Sequence, residues 1–378
     1  NGSGKHNNWS ICTDSGQNLF DPGKTPTENA RFLLFLCAVI RAVDKHAELL
    51  RLSASSAAND HRLGGCEAPP AIISIFLGEE LEEVLGKIKK GSEISFLNKT
   101  KMKFNLPYIP DIYKDTTDRN RTSPFAFTGN KFEFRMLGSS MPIAECNTII
   151  NTIVAESLDD IANRLEMAVD FESEVLDILR DILKTHDRII FDGNNYAEEW
   201  VNEAAKRGLP NIPTTVDAIP VLLKKQTIDL FERYGVFTKS ELEARCEILY
   251  EKYAKEVLIE AKTLYTMLRR ELIPAVNEYM TSLADTYNLT KAAGCVSSET
   301  RNELSQVSSS MSYLYREVKK LKTQIDKLPK GSKAQALHAK NKLLPLMGSI
   351  REICDSLEEF IPKKYYPFPT YEEMLFDI

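Results

Sequence analysis

From about residue 148 to the end of the chain, apolar residues recur at intervals of three and four, and this periodicity most constrains the fold. In the longest stretch Leu242, Cys246, Leu249, Tyr253, Val257, Ala261, Leu264, Leu268 and Leu272 keep that spacing, which places them on one helical face. Thr238-Lys239-Ser240-Glu241 ahead of them is a capping box, the signature of a helix start. Pro274 has no N–H to give and is expected to kink or break the helix before the pattern resumes to about Tyr287. Two further helices, roughly 298–327 and 332–360, flank the tight turn Leu328-Pro329-Lys330-Gly331 and complete an antiparallel bundle. Residues 148–185 read as two helices. Gly208 to Pro220 holds Pro210, Pro213 and Pro220 and reads as a loop. The aromatic, proline-rich tail from Tyr365 to Pro369 is expected to lie extended on a surface. Stripes of this kind are packing seams first, so the helical part reads as scaffold, oligomer contact or both.

Residues 1 to about 147 have another texture, with short strand-like and helical stretches punctuated by Gly and Pro. Thr25-Pro26-Thr27-Glu28 is a capping box with proline at the first helical position, followed by an apolar run through Val43. Because that run is apolar nearly all round, the helix is expected to pack on two sides, beneath a sheet. Ala71–Phe76, Glu93–Leu97 and Lys131–Met136 read as strands, and Arg188–Phe191 is the β-rich exception in the helical half. The expected fold is α+β: an antiparallel sheet with helices, then a mostly α-helical C-terminal region. The division is expected at 1–237 and 238–378.

Length and charge narrow the function classes. A chain of 378 residues has room for two or three domains. Its net charge of −6 gives no basic footprint for nucleic acid or an anionic membrane. The longest clean apolar run, Phe32 to Ile40, is half a membrane span. The seven cysteines are odd in number and contain no CxxC pair, which argues against a disulfide framework or a thiolate zinc site. With no signal peptide, reduced thiols in the cytoplasm are expected, and the Asn98, Asn120 and Asn288 sequons are chance matches. The chain opens at Asn1 without Met, inside a Gly-Ser motif, so a missing upstream part is expected.

Three segments carry chemistry. In Asn1-Gly2-Ser3-Gly4-Lys5-His6-Asn7-Asn8-Trp9-Ser10, a strand would put His6, Asn8 and Ser10 on one face, a set suited to a metal–nucleotide site, the alternative being a surface histidine in a Gly-Ser turn. In Arg62-Leu63-Gly64-Gly65-Cys66-Glu67-Ala68-Pro69-Pro70, mobile glycines between Arg and Glu and a stiff proline edge suit a flap over a substrate. An ordinary loop before a strand fits equally well. Arg119-Asn120-Arg121 precedes Lys131-Phe132-Glu133-Phe134-Arg135, whose alternation places Lys131, Glu133 and Arg135 opposite two core phenylalanines. Such cations suit phosphate and carboxylate groups, and Glu133 suits Mg²⁺ or Mn²⁺. A solvated strand face with an incidental salt bridge is the alternative.

In this order, from Asn1 to Arg135, the segments resemble the second half of the catalytic domain of glutamine synthetase. That family carries an N-G-S-G-x-H strand, an R…G-x-E-A-P flap, an R-N-R segment and a final E-x-R strand. Arg-Asn-Arg-Thr-Ser-Pro-Phe and the tail Tyr-Tyr-Pro-Phe-Pro-Thr-Tyr are most similar to the type III bacterial form, and Gly235-Val236-Phe237-Thr238 extends the likeness. The resemblance implies an ATP-dependent glutamate–ammonia ligase that forms glutamine through a γ-glutamyl phosphate, with L-glutamate, ammonium and ATP as substrates. It implies that His6 and Glu133 hold the Mg²⁺ or Mn²⁺ beside the ATP phosphates, and that Asn1 and Gly2 line the glutamate site. Arg62 and Arg135 would hold glutamate and its phosphorylated form. Glu67 would be the flap carboxylate that shields the acyl phosphate and takes a proton from ammonium. Arg121 would bind phosphate, and Asn8, Ser10 and Lys131 would contact ATP. A large homo-oligomer of stacked rings is also implied.

Two departures stand out. A further arginine of the type I form falls here on Ala126, and the Arg62-to-Glu67 spacing is one residue short. Most metal-binding glutamates of the family precede the Asn-Gly-Ser-Gly motif, as does its small β-domain. The chain is therefore expected to be a C-terminal fragment that makes no glutamine alone. A γ-glutamyl-amine ligase and a non-catalytic helical assembly module are the alternatives.

Overall fold

The computed structural model describes residues 4–23, 29–65, 68–91, 101–102, 112–113, 122–295 and 298–376. The capping box at 25–28 and the expected strand at 93–97 lie outside them. The chain forms two compact units, Asn1–Cys246 and Glu247–Ile378.

The first unit is built on short strands: β1 (Asn7–Trp9), β2 (Ile75–Phe76), β3 (Lys101–Met102), β4 (Ile112–Tyr113), β5 (Phe125–Phe127) and β6 (Phe132–Phe134). A four-stranded sheet has the order β1-β6-β5-β2, and β3 pairs with β4 separately. The expected antiparallel arrangement holds for β1, β6 and β5, but β2 joins β5 in parallel, so the sheet is mixed. A parallel neighbour needs a connection that returns to the same end of the sheet, and the long chain between β2 and β5 supplies one. Only Ile75–Phe76 of the expected strand 71–76 belongs to the sheet. Arg188–Phe191 is mainly a 3-10 turn, Asp187–Ile189, with a single bridge from Ile190 to Ile75.

The alternation in β6 does what the sequence implied. Phe132 and Phe134 are fully buried, whereas Glu133 is not. The Phe132 ring lies 5.0 to 6.4 Å from those of Phe125, Phe20, Phe127 and Trp9, an aromatic cluster that holds the strand in place.

Helices α1 (Ala30–Lys45), α2 (Ala47–Leu52), α3 (Ala57–Arg62), α4 (Glu79–Lys90), α5 (Ala144–Glu166), α6 (Phe171–His186), α7 (Glu198–Lys206), α8 (Thr215–Ala218) and α9 (Lys225–Arg233) complete this unit. The nearly all-apolar α1 packs against both α5 and α6, and its Phe32 ring lies 5.8 Å from Phe127 of the sheet. At its C-terminal end Asp44 meets His186 and Arg188, while Glu156 of α5 meets Lys45 and His46. The proline-rich stretch 208–220 is only partly loop, since α8 and a 3-10 turn, Ile219–Leu223, lie in and after it. Buried Arg51 donates to the carbonyls of Ile212 and Pro213, and Asp60 accepts from Thr215, so this segment is pinned from below. Burial raises the Asp60 pKa, partly offset by hydrogen bonds from Thr215 and by the Arg51 charge.

Helix α10 (Lys239–Met267) opens at the expected capping box. The Thr238 N–H donates to Glu241 Oε2 at 2.7 Å, and the Glu241 N–H donates to Thr238 Oγ1 at 3.4 Å. The second unit holds the rest of α10 with α11 (Ile273–Ala292), α12 (Ser298–Asp326), α13 (Ser332–His338), α14 (Leu344–Phe360) and α15 (Tyr371–Phe376). Pro274 does not break the path as expected. A π turn, Leu268–Leu272, precedes it, and another, Ala339–Leu343, precedes Pro345. The wider turn moves carbonyls away from the proline ring, so the chain stays helical. Helix α12 packs against α11 and α14, and the turn before α13 uses Gly331 at φ 89°, a conformation suited to glycine. In the tail, the Tyr365 ring packs 5.4 Å from Tyr279 of α11, the surface contact expected there. Among the described residues no helix is long and apolar enough to cross a membrane, and six cysteines are free.

Candidate functional site

The strands β1 and β6 pair antiparallel, with Asn8 opposite Glu133. Asn7 and Trp9 point into the core, which leaves His6, Asn8 and Ser10 on the exposed side. Asn7 and Trp9 are fastened to α5 by side-chain bonds to Asn147 at 2.7 Å and Asn151 at 2.8 Å. The expected shared face therefore exists on each strand, and the two faces are joined.

Beyond Asn7 the pairing slips. Asn7 opposes Phe134, yet Gly4 bridges Gly138, so three residues, 135–137, face only two, 5–6. This bulge turns the chain locally. Successive residues of a regular strand point to opposite faces, but here both Arg135 and Met136 border one cavity of about 170 Å³. Its walls also include Gly4, His6, Arg62, Ala68, Thr122 and Tyr196. Three sequence-distant segments thus bring His6, Arg62 and Arg135 together.

Arg62 is buried at the end of α3, and its fixation explains the neighbouring residue choices. Its Nε donates to Asn59 Oδ1 at 2.8 Å, and its Nη2 donates to the Met136 carbonyl at 2.5 Å. Asn59 also donates to the Met136 carbonyl at 3.0 Å, so one amide orients the guanidinium and the bulge together. Gly4 leaves room for the guanidinium, because a Cβ there would stand 2.8 Å from Arg62 Nη1. Arg135 is anchored by Nη2 to the Ser123 carbonyl at 2.6 Å and by its N–H to the Pro124 carbonyl at 2.8 Å.

Apart from His6, Arg62 and Arg135, the candidates lie away from the cavity or outside the described residues. His6 Nδ1 is 3.7 Å from Glu133 Oε2, with the imidazole well exposed and the carboxylate largely covered. The pair offers one nitrogen and one carboxylate donor, a partial fit to a divalent ion that prefers about six oxygen-rich ligands. Among the described residues no group of three or more His, Cys, Asp or Glu forms a ready metal cage. Ser10 Oγ bonds Asn18 Oδ1 at 3.0 Å, and the Asn130 carbonyl 3.3 Å away places it beside the turn that carries Lys131. Asn8, Ser10 and Lys131 do not border the cavity. Asn1, Gly2, Glu67 and Arg121 lie outside the described residues, although Leu63, Ala68 and Pro69, on either side of Glu67, line the cavity.

Sequence reasoning missed Asn59, Asn195 and Tyr196. Asn59 sits three residues before Arg62 on α3, a spacing that puts the two side chains on neighbouring helix positions and could have flagged it. Asn195 follows Asp192-Gly193-Asn194, a composition that reads as an ordinary turn; only its complete burial sets it apart.

Comparison with known proteins bears on the chain as a whole. Residues 174–291 match the family described as glutamine synthetase C-terminal domain. The whole chain is 42% identical to the glutamine synthetase of Butyrivibrio fibrisolvens, covering 55% of that protein. It is 41% identical to the type-3 glutamine synthetase of Dictyostelium discoideum, covering 53%. It is 38% identical to the glutamine synthetase of Bacteroides fragilis (strain YCH46), covering 54%. The chain thus spans about half the length of these relatives. Every one of its residues falls inside those alignments, so the likeness to glutamine synthetases runs along the whole chain.

Proposed function

We propose that residues 1–237 form the C-terminal part of an ATP-dependent glutamate–ammonia ligase site, with residues 238–378 as its helical extension. The observation that carries this reading is the convergence of His6, Arg62 and Arg135 on one cavity, with Glu133 beside His6. The γ-carboxylate of glutamate is a poor electrophile until phosphorylated, and both steps build negative charge on phosphoryl and carbonyl oxygens. Arg62 and Arg135 are held by backbone carbonyls, so their charges are pre-oriented and need no rearrangement as that charge develops. Arg62, Leu63, Ala68 and Pro69 of the flap line the cavity, in keeping with a role for Glu67 in excluding water and accepting a proton from ammonium. Asn8, Ser10, Lys131 and Arg121 are the proposed ATP contacts, and Asn1 and Gly2 the proposed glutamate contacts. His6 and Glu133 would hold Mg²⁺ or Mn²⁺, which when bound neutralises phosphoryl charge. A cytoplasmic homo-oligomer of stacked rings belongs to the same reading.

The test is Arg135→Ala in the intact native protein, assayed for ATP- and ammonia-dependent glutamine formation. Turnover is expected to fall on the order of 100-fold, the scale of losing one pre-oriented charge donor. Turnover equal to that of the unaltered protein would overturn the reading.

A further inference from the structure

We propose that Asn195 is a positioning residue for Arg135, an inference that rests on the reading of the cavity given above. Asn195 is fully buried and joins three segments that are far apart in sequence. Its Nδ2 donates to Ser74 Oγ at 2.8 Å, next to β2. Its Oδ1 lies 3.1 Å from both Thr122 Oγ1 and Ser123 Oγ, just before β5, sharing their hydroxyl protons with the Gly193 and Phe191 carbonyls. Its own N–H donates to Thr122 Oγ1 at 2.8 Å. Ser74 Oγ and Ser123 Oγ are themselves 3.0 Å apart, which closes the network. A carboxamide suits this place because it donates on one side, accepts twice on the other, and carries no charge into a buried site.

The network ends at Arg135. Ser123, held by its hydroxyl, offers its carbonyl to Arg135 Nη2 at 2.6 Å, and the next carbonyl, Pro124, takes the Arg135 N–H. Thr122, Pro124 and Tyr196 all line the cavity. The amide, with the Phe191 and Gly193 carbonyls that share the Ser123 and Thr122 hydroxyls at 2.8 and 3.0 Å, fixes the segment that aims the Arg135 guanidinium. Asn195 does not itself border the cavity, so it acts through the residues it holds, and the proposal assigns that action to Arg135.

The experiment is a double-mutant cycle on glutamine formation by the intact native protein, with Asn195→Ala, Arg135→Lys and the pair together. Asn195→Ala is expected to lower kcat/KM for glutamate about 10- to 100-fold while the KM for ATP moves less than about 2-fold. In the Arg135→Lys background the same change is expected to cost less than about 3-fold, because the group it aims has already been altered. A merely structural role would give equal losses in both backgrounds. Should Asn195→Ala fail to fold, as read by Trp200 fluorescence, Ser74→Ala removes only one partner of the amide and enters the same cycle. Additive losses, or unchanged glutamate kinetics in Asn195→Ala, overturn the positioning role and leave the cavity reading standing. No effect of Arg135→Lys overturns both.

Discussion

Replacing Glu156 by glutamine tests the buried cluster that ties α1 to α5. The carboxylate of Glu156 lies 2.6 Å from His46 Nε2 and 2.8 Å from Lys45 Nζ, with only 9% of its side chain exposed. Burial alone would raise its pKa, but hydrogen bonds from His46 and Lys45, with their charges, outweigh that and hold it at about 2 instead of 4.5. A difference of that size corresponds to about 3 kcal/mol for a fully shielded group. Lys45 is 32% exposed, so solvent screening brings the expected contribution to about 1.5–2 kcal/mol. Because the folded pKa lies below the unfolded one, the stabilisation is present above pH 4.5 and is lost as pH falls toward 2. The carboxamide introduced by Glu156→Gln would keep the shape and an acceptor while removing the charge. Both tryptophans, Trp9 and Trp200, lie in the first unit, so their fluorescence during urea unfolding reports that unit alone. The Glu156→Gln protein is expected to be less stable at pH 7 by the amount given, with the gap closing as pH drops from 4.5 toward 2. A gap that stays constant across that range would refute the reasoning and assign the loss to packing.

Three further outcomes follow from the same structure. Phe132→Ala removes the centre of the aromatic cluster behind Glu133 and is expected to destabilise the first unit by about 3–5 kcal/mol in the same urea assay. Thr238→Ala breaks the reciprocal cap of α10 and is expected to cost about 1 kcal/mol; no change in the urea midpoint would count against the cap. Cys12 and Cys295 are exposed, whereas burial pushes the Cys37 thiol up to about 12. Iodoacetamide at pH 8 should therefore label Cys12 and Cys295 in the native protein and Cys37 only after unfolding, as read by peptide mass mapping.

Much of the local structure was legible. The Thr238–Glu241 box starts a helix because both of its bonds are made within four residues. The alternation around Glu133 survives because the strand period fixes which face meets the core. Pro274 does not end the helical path because a π turn five residues long can absorb a missing donor, and nothing in a 3/4 pattern signals one. The parallel placement of β2 depends on which strand it meets, which two residues, Ile75 and Phe76, cannot specify.

The site divides along the same line. His6, Glu133 and Arg135 could be picked out in the sequence, because their spacing and residue types carry the chemistry, and the likeness to glutamine synthetase rests on those motifs. What tertiary structure decided is how they meet. A register slip between residues 4 and 7 and their partners turns Arg135 and Met136 toward one cavity, and Asn59 and Asn195 hold the two arginines there. Sequence alone determines which groups lie on which face, since that follows from the repeat of a helix or strand. Which buried amide reaches which carbonyl or hydroxyl across more than seventy residues follows only from packing, because those bonds form between segments that the folded core brings together.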